Sequence, residues 1–559
     1  MKSNIKQYTS NGFIFFALFV IALLVYKPCL KGPFIWDDLS LITHNISFNK
    51  PFSFFSQALY PTSQGISGSF YYRPFQALSY YLDYKIWGFN AFGFHLVNVL
   101  IHSLNAFMIY LLLARFLPGI RKNDSVISVG ASAKVVPVLM GVLFLVHPIF
   151  LTSVAYIAGR ADLLVCLFIL MGLFFLDCLI QTRKRVFYAA CLIAFFAALL
   201  SKESAVLAPF LFVACLVFRL DGSDRQHNKM FFPLMASFCI IMLLYFFLRA
   251  GILGVSTGLR IPMSFSMSTF AALLKMLCGY VGLFFFPFQS YLGRVLALEP
   301  SFFSGFVLLS CLFLAGIVFL FVRWLKKSYY GACFGLAWFF LWVFPLSVFC
   351  ILFGRLGAYV IMPENNLYVA GFGLLCVAGF FLNHFFHIRK NVVLRKWVCA
   401  AIGIYVLCFA AITFEGSKKW SDDIVFYEYL LDMNRGKPSA ALIYKNLALV
   451  YKRQGDYVKA IENYALSLKG GEDADVYHNL GNIYLEQGAL DLAGKQYMKA
   501  IELNPRLGCS YVGLGLVFLR QANMEKAREM FITGLKVSPD DPRLKAMVMD
   551  ILSETQAKE

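Results

Sequence analysis

Long apolar runs alternate with short polar segments over the first three quarters of the chain. A membrane-spanning helix needs about 20 apolar residues, and eleven runs approach or reach that length. The runs cover approximately residues 12–30, 91–114, 135–150, 161–180, 186–201, 204–219, 230–249, 302–322, 332–352, 367–386 and 397–414. This pattern predicts an all-α, polytopic transmembrane helix bundle of about eleven spans.

A twelfth apolar stretch, 269–290, contains Lys275 and Pro287. If this stretch does not cross the membrane, every basic cluster between the runs falls on one side, which the positive-inside rule makes the cytoplasmic side. If it crosses, the clusters at 323–327 and 389–396 face outside. We therefore expect 269–290 to be re-entrant or interfacial, the N-terminus to be cytoplasmic and the C-terminal tail to be extracytoplasmic.

The tail has a different pattern, a repeat with a period near 34 residues. Matching positions hold aromatic, leucine and small residues in three successive units. Examples are Tyr444, Tyr477 and Tyr511, then Leu447, Leu480 and Leu514, and then Ala460, Ala493 and Ala527. This is the tetratricopeptide pattern, in which small residues let paired helices approach each other. Three units can stack into an α-solenoid with a concave groove, which we expect to hold a protein acceptor or partner, although a structural spacer is the alternative.

These patterns predict three regions. The first is a transmembrane domain at 1–414, whose first extracytoplasmic loop is 31–90. The second is a linker helix at 415–437. The third, 438–559, contains repeats at about 441–473, 474–507 and 508–541 and a C-terminal cap.

Composition excludes a soluble globular protein, because 60% of the 559 residues are hydrophobic and only 14% are charged. The net charge of +19 belongs to the membrane part, with 31 basic and 11 acidic residues in 1–414. Positive loops account for this excess, so we expect a lipid bilayer and no nucleic acid as partner. The 14 cysteines form no CxxC pair, so neither a disulfide framework nor a zinc site is predicted.

Two adjacent carboxylates, Asp37 and Asp38, follow the first run. One could act as a general base on a hydroxyl while the other orients it or meets a cation; a solvated turn or helix cap is the alternative. Arg73, at the other end of the same loop, could bind a phosphate through two hydrogen bonds or lie at the interface among aromatic residues.

A polar stripe lies on the second run. His95, Asn98, His102 and Asn105 share one helix face, and we expect most of them to form hydrogen bonds between helices. His95 is nearest the outer surface and is the candidate for a functional role.

More candidates lie at the outer ends of later runs. They are His147, Arg160, Asp162, Lys202, Glu203, Arg355 and Glu364. Arg160 and Asp162 could instead form a structural pair, and Lys202 and Glu203 could neutralise each other. Together, these acids and bases predict a mixed-charge crevice at one membrane face, which a lipid-linked substrate with a phosphate would need.

As a set, these motifs resemble the TMTC-type O-mannosyltransferases and their prokaryotic relatives, over nearly the whole chain. The motifs are Trp36-Asp37-Asp38 with Asn45, Tyr72-Arg73-Pro74-Phe75, Phe94-His95-Leu96-Val97-Asn98, His147-Pro148, Gly159-Arg160-Ala161-Asp162-Leu163-Leu164, Leu200-Ser201-Lys202-Glu203, Glu364-Asn365-Asn366-Leu367-Tyr368 and Trp420-Ser421-Asp422-Asp423.

The resemblance implies a GT-C-type bundle that transfers a mannose-like sugar from a polyprenyl phosphate to a Ser or Thr hydroxyl of a protein. It implies that Asp37 or Asp38 is the catalytic base, and it makes Arg160, Lys202 and Arg355 the candidates for the donor phosphate. We expect no required cofactor. Two adjacent Asp could hold a divalent metal, but nothing in the sequence requires one, so no metal site is predicted.

The chain departs from the resemblance at some positions. Thr152 stands where relatives often have an acid, Phe150 replaces a polar residue, and Asn365-Asn366 follows Glu364. Only three repeats are recognisable, which favours a bacterial inner membrane over an ER membrane. Two alternatives stay open: a non-enzymatic membrane-anchored repeat scaffold for an envelope or secretory complex, and a transferase that acts on a lipid or glycan acceptor.

Overall fold

The structure is a computed structural model in which most of the chain is helical. It describes residues 2–43, 72–117, 135–219, 225–253, 266–288, 294–298, 304–356, 359–388 and 391–539, with 545, 548 and 549. The chain divides into two compact units, with the boundary between Asp422 and Asp423. The predicted all-α class is confirmed: the first unit is an apolar helical bundle and the second is a helical repeat array.

The first unit contains fourteen described α-helices. They are α1 (Lys2–Tyr26), α2 (Pro74–Trp87), α3 (Ala91–Phe116), α4 (Val135–Val146), α5 (Leu151–Ala155), α6 (Arg160–Thr182), α7 (Arg185–Leu199), α8 (Ala208–Arg219), α9 (Arg225–Leu253), α10 (Met267–Phe285), α11 (Gly305–Lys326), α12 (Tyr330–Phe353), α13 (Leu367–Ile388) and α14 (Val392–Lys418). Helices suit an apolar surrounding because each satisfies its backbone hydrogen bonds internally.

Nine helices among the described residues are long and apolar enough to cross a membrane. A tenth candidate is the pair α4 and α5, which is bent by 49° at His147-Pro148. The bend has a local cause, since Pro148 has no N–H and the His147 side chain accepts a hydrogen bond from Ile149 N. Helices α7 and α8 are apolar but shorter. All eleven predicted runs coincide with helices, and the multi-pass architecture is confirmed.

Helix α10, which covers most of the stretch 269–290, is also long enough to span a membrane. Its contacts with α11 show its direction: Lys275 Nζ lies 5.4 Å from the centroid of the Phe306 ring, and one turn later Cys278 Sγ lies 3.6 Å from Ser310 O. Helices α10 and α11 therefore run in parallel, although they follow each other along the chain. This course favours a re-entrant segment, and the expectation that 269–290 does not cross stays a prediction.

A small antiparallel sheet lies beside the start of α13. Strand β1 (Val295–Ala297) pairs with β3 (Tyr359–Ile361), which also pairs with β2 (Arg355–Leu356). The pairing places Arg294 next to Met362, whose N–H donates to Arg294 O at 2.8 Å. The sequence reading did not predict these strands.

Two glycines let α12 and α13 pack at close range. A Cβ atom on Gly335 would lie 2.4 Å from Gly373 O, and one on Gly373 would lie 2.4 Å from Gly335 O. The indole of Trp338 donates to Val369 O at 2.9 Å one turn away. Small residues at such crossings are a common means of helix association in membranes.

The second unit contains seven helices. They are α15 (Asp423–Asn434), α16 (Ala440–Arg453), α17 (Tyr457–Leu468), α18 (Ala474–Glu486), α19 (Leu490–Leu503), α20 (Gly508–Arg520) and α21 (Met524–Val537). The predicted linker helix 415–437 is divided, because α14 continues to Lys418 and α15 begins at Asp423. Most of the predicted C-terminal cap lies outside the described residues.

The repeat helices pair through the small residues that the sequence pattern singled out. A Cβ atom on Gly481 would lie 2.7 Å from the Tyr497 ring, and one on Gly515 would lie 2.5 Å from the Phe531 ring. Gly455 turns the chain between α16 and α17 with a φ of 81°, which an L-residue with a side chain rarely adopts. The aromatic rings therefore fill the space that the glycines leave.

The α12–α13 crossing gives a stability prediction. Gly373→Ala should place a methyl group against backbone and destabilise the protein by about 1–3 kcal/mol, as overpacking does. The measurement is the apparent melting temperature of the full-length protein in detergent. Gly316→Ala is the matched control, because nothing lies within 4 Å of a Cβ atom there. Equal melting temperatures for the two variants would contradict the tight crossing.

Candidate active site

The second carboxylate of the acidic pair, Asp38, is a structural group. Its side chain is fully buried; Oδ1 accepts a hydrogen bond from Ala158 N at 2.8 Å and Oδ2 accepts one from Ile35 N at 3.2 Å. Burial raises the pKa of Asp38 well above its usual range, although these two backbone hydrogen bonds oppose the rise. Asp38 thus joins the acidic turn to the segment before α6.

The first carboxylate, Asp37, has the opposite surroundings, because its residue is exposed. The backbone N–H of Asp37 donates to the Tyr156 hydroxyl at 3.0 Å. Although Asp37 is exposed, the protein atoms around it reduce the hydration of its carboxylate and so raise its pKa. A hydrogen bond with Tyr156 and the charge of Arg73 lower this pKa in part. Of the two predicted bases, Asp37 is therefore the one that a substrate could reach.

Unusual backbone frames Asp37. Trp36 has a φ of 51°, a conformation that costs energy in a residue with a side chain and is frequent at functional sites. A single π-helical turn follows at Leu39–Thr43, and such turns are also frequent at functional sites. These two features place Asp37 in a segment of uncommon backbone conformation.

Arg160 is fully buried, which corrects the prediction that it binds the donor phosphate. Its Nη1 lies 2.5 Å from Asp83 Oδ2, Nε donates to Asn98 Oδ1 at 2.8 Å, and Nη2 donates to Phe94 O at 2.7 Å. The guanidinium also lies 4.8 Å from the centroid of the Tyr80 ring. The predicted alternative of a pair with Asp162 is wrong too, because the structural partner is Asp83. With these contacts, Arg160 has no exposed surface for a ligand.

The backbone just before Arg160 is held from two sides. Asn98 Nδ2 donates to the carbonyl oxygens of Val154 and Tyr156 at 3.2 and 3.1 Å. From α2, Gln76 Nε2 donates to Ala158 O at 3.0 Å. Since this segment supplies Tyr156 and Ala158, it sets the positions of both carboxylates of the acidic turn.

A row of ion pairs extends along the same end of the bundle, and we call it the ion-pair row. Its members are Arg73, Arg249, Glu203, Lys202, Asp162, Asn365, Glu364 and Arg294. It begins where Arg73 donates to Glu203 Oε2 through Nε at 3.0 Å and through Nη2 at 2.8 Å. Arg249 Nη1 lies 3.7 Å from the other carboxylate oxygen.

The row continues from Glu203 to Lys202, its neighbour in the sequence. Lys202, which precedes Glu203, has its Nζ 2.5 Å from Asp162 Oδ1, and Asn365 Nδ2 donates to Asp162 Oδ2 at 3.0 Å. Lys202 and Glu203 therefore pair with different partners, so the prediction that they neutralise each other is wrong.

The row ends at Glu364, which is nearly buried and lies 2.7 Å from Arg294 Nη2. Arg249 and Arg294 were not among the predicted site residues. Arg249 was detectable as a charge at the outer end of its apolar run, but Arg294 lies in an irregular segment without a recognisable motif. The backbone of Arg355 belongs to β2, and its side chain lies outside the described residues.

The predicted histidines do not line the row. His147 Nε2 lies 2.9 Å from Phe284 O, and its Nδ1 accepts a hydrogen bond from Ile149 N. His147 therefore stabilises the bend between α4 and α5 and does not contact the ion-pair row as expected. His95 is only 2% exposed. The surrounding atoms therefore leave His95 almost no surface for a substrate.

Elsewhere on the polar stripe, the expected hydrogen bonds between helices are present. His102 lies 2.6 Å from the Tyr368 hydroxyl and 3.0 Å from Leu145 O, and Asn105 donates to Leu163 O at 2.9 Å. Among the described residues, no group of three or more His, Cys, Asp or Glu side chains could hold a metal ion. The expectation that no cofactor is required stays a prediction.

Comparison with known proteins confirms the resemblance seen in the sequence. The tetratricopeptide repeat family model matches residues 474–507, which are those of the second predicted repeat. The chain is 23% identical to the Caenorhabditis elegans protein O-mannosyl-transferase F38B6.6 over 87% of this chain and 62% of that protein. It is 32% identical to the Drosophila melanogaster protein O-mannosyl-transferase Tmtc2 over 40% of this chain and 23% of that protein.

The chain thus spans less than two thirds of the length of these curated relatives. Among solved structures it is similar to ArnT from Cupriavidus metallidurans in the apo state, with a TM-score of 0.39 and 16% identity over 89% of this chain and 80% of that chain. ArnT bound to undecaprenyl phosphate gives a TM-score of 0.36 and 15% identity over 94% and 79%.

The Arg160 cluster gives a second stability prediction. Arg160→Gln should cost about 3–5 kcal/mol, because removal of one member of a buried ion pair leaves Asp83 charged and unpaired. The measurement is the apparent melting temperature of the full-length protein in detergent. Arg435→Gln is the control, since Arg435 is 76% exposed in its pair with Asp432 and should change stability little. Equal melting temperatures for the two variants would contradict the structural role of Arg160.

Proposed function

We propose that this chain is an integral-membrane glycosyltransferase that moves a mannose-like sugar from a polyprenyl phosphate to a Ser or Thr hydroxyl of a protein. The observation that carries the proposal is the exposed Asp37, which lies close enough to Arg73 of the ion-pair row to feel its charge. The named activity of the curated relatives supports the same class of reaction. We place the reaction on the extracytoplasmic face, in agreement with the positive-inside reading of the sequence.

Asp37 is the base in this proposal. Its carboxylate takes the proton of the acceptor hydroxyl as the hydroxyl oxygen attacks the anomeric carbon. The bond from the anomeric carbon to the donor phosphate oxygen breaks, and its electron pair leaves with the phosphate. Because the hydroxyl attacks from the face opposite the phosphate, the anomeric configuration inverts. Asp38 does not exchange protons with the substrate, since both of its oxygens accept backbone hydrogen bonds.

The ion-pair row supplies the positive charge for the leaving phosphate. Lys202 is the leading phosphate ligand, because it is partly exposed and an ammonium has three donors, of which one is directed at Asp162. Arg73, Arg249 and Arg294 are also partly exposed. Cations near the departing oxygen would stabilise the charge that develops there.

The repeats provide a place for the protein acceptor. Stacked tetratricopeptide units form an extended concave surface, which suits an unfolded segment with a Ser or Thr. We assign acceptor or partner binding to this groove and sugar transfer to the bundle.

The proposal predicts that sugar transfer depends on the Asp37 carboxylate. Asp37→Asn should remove transfer, a loss of about 100-fold or more, because a general base contributes that much, while the amount of folded protein stays unchanged. The measurement is mass spectrometry of glycopeptides from extracytoplasmic proteins in cells that express wild type or variant at equal levels.

Asp432→Asn, an exposed change in the second unit, is the matched control and should leave the sugar in place. A sugar that persists on Ser and Thr in the Asp37→Asn cells would refute the catalytic role of Asp37. If that variant also restored the phenotype of a null strain, the non-enzymatic scaffold would be the better account.

A pH profile provides an independent prediction. A base acts when it is deprotonated, so the rate should rise with pH through the pKa of Asp37. Because that pKa is raised, the rising limb should lie above the usual aspartate value of about 3.9. The measurement is the initial rate of transfer by the purified protein across pH, and Arg73→Gln should move the limb further upward, since it removes a charge that lowers the pKa. A limb at the ordinary aspartate value, or one unchanged by Arg73→Gln, would contradict this electrostatic account.

A further inference from the structure

The end of the bundle opposite the ion-pair row has a cluster of cations. We call it the basic patch and define it as Arg323, Lys326, Lys327, Arg395 and Lys396, which come from the end of α11 and the start of α14. The end of α13 lies between them.

Packing brings these helix ends together. The Trp324 ring lies 5.0 Å from the Phe381 ring, and Tyr329 lies 5.3 Å from the His384 ring, which joins α11 and its following turn to α13. Arg395 donates to Phe386 O, which joins α14 to the end of α13. Charges from two separate turns therefore belong to one surface.

Acidic residues are scarce in the part of the sequence that supplies the basic patch. Between residues 300 and 414 the only acidic residue is Glu364, and it pairs with Arg294 at the opposite end of the bundle. Arg323, Lys326 and Lys327 are exposed and form no ion pair with any described residue. Every cation of the ion-pair row, in contrast, has a carboxylate partner.

Exposed apolar side chains lie next to the patch. Trp397, which follows Lys396, is 72% exposed, and Val392 and Val393 are each 62% exposed. On α11, Leu325 lies between the patch residues and is also exposed. Cations beside exposed aromatic and aliphatic groups are typical of a position at the headgroup level of a bilayer.

We propose that the basic patch binds an anionic phospholipid of the surrounding bilayer. Its phosphate oxygens accept hydrogen bonds from Arg323, Lys326 and Lys327, and its acyl chains lie along the exposed faces of α11 and α14. Orientation of a membrane protein requires only positive charge in the loops on one side. It does not require that two turns converge on one surface, and a free phosphate would leave the adjacent apolar surface without a partner.

The test uses the purified full-length protein, delipidated in a neutral detergent and titrated with phosphatidylglycerol or phosphatidylcholine while native mass spectrometry counts bound lipid. Wild type should bind phosphatidylglycerol at least about tenfold more tightly, since each cation at an anionic lipid surface contributes roughly fivefold. The triple variant Arg323→Gln/Lys326→Gln/Lys327→Gln should lose this preference, and the single variant Lys327→Gln should lose about fivefold.

Arg183→Gln/Lys184→Gln/Arg185→Gln is the matched control, because it removes three charges from a different exposed turn, between α6 and α7. It should keep the preference for phosphatidylglycerol. If both triple variants lose the preference for phosphatidylglycerol equally, the preference comes from overall surface charge and not from a site at the basic patch. If neither variant loses the preference, the proposed site is refuted. Displacement of the lipid by inorganic phosphate at the same concentration would show that the patch binds a small anion and not a lipid. Without added lipid, each variant should melt at the same temperature as wild type. If a triple variant does not fold, the lipid preference of the single variant Lys327→Gln, provided that it melts as wild type does, tests the site instead.

Discussion

The buried guanidinium of Arg160 makes the contacts on which the end of the bundle that carries the ion-pair row depends. A charge inside an apolar bundle is tolerated only with an opposite charge and full hydrogen bonding, and Arg160 finds these on two neighbouring helices, at Asp83 of α2 and at Phe94 and Asn98 of α3. Helices α2 and α3 are thereby fixed to the start of α6. The acidic turn takes its position from that same start, through Ala158.

The ion-pair row applies the same principle to groups that are buried or only partly exposed. Each cation has an acid within hydrogen-bond or ion-pair range, so charges at membrane depth are neutralised in the absence of a substrate. Partial exposure of Lys202 allows an incoming phosphate to join an existing pair, which costs less desolvation than the burial of an isolated charge. At the opposite end of the bundle, Arg323, Lys326 and Lys327 of the basic patch form no ion pair with any described residue, which is why we assign the patch a ligand from the bilayer.

Much of this arrangement could be predicted from the sequence. Apolar runs gave the helices, because a membrane accepts few other structures, and the spacing of Tyr477, Leu480 and Ala493 with its counterparts gave the repeats. Residue types predicted most members of the ion-pair row, but not Arg249 or Arg294 and not which residues pair. Arg160 was predicted as a phosphate ligand because sequence alone does not distinguish a buried guanidinium from an exposed one. For the same reason the sequence did not distinguish Asp37 from Asp38 as the catalytic base, since only the fold shows which carboxylate accepts hydrogen bonds from backbone N–H groups.

The most direct test of this account is sugar transfer by the purified protein in proteoliposomes. A polyprenyl-phosphate mannose is the donor, a Ser- and Thr-containing peptide is the acceptor, and the mass of the peptide is measured for wild type, Asp37→Asn and Asp432→Asn. The account predicts a peptide heavier by one hexose with wild type and Asp432→Asn, and an unchanged peptide with Asp37→Asn. Equal transfer by Asp37→Asn and wild type would contradict the assignment of Asp37 as the catalytic base.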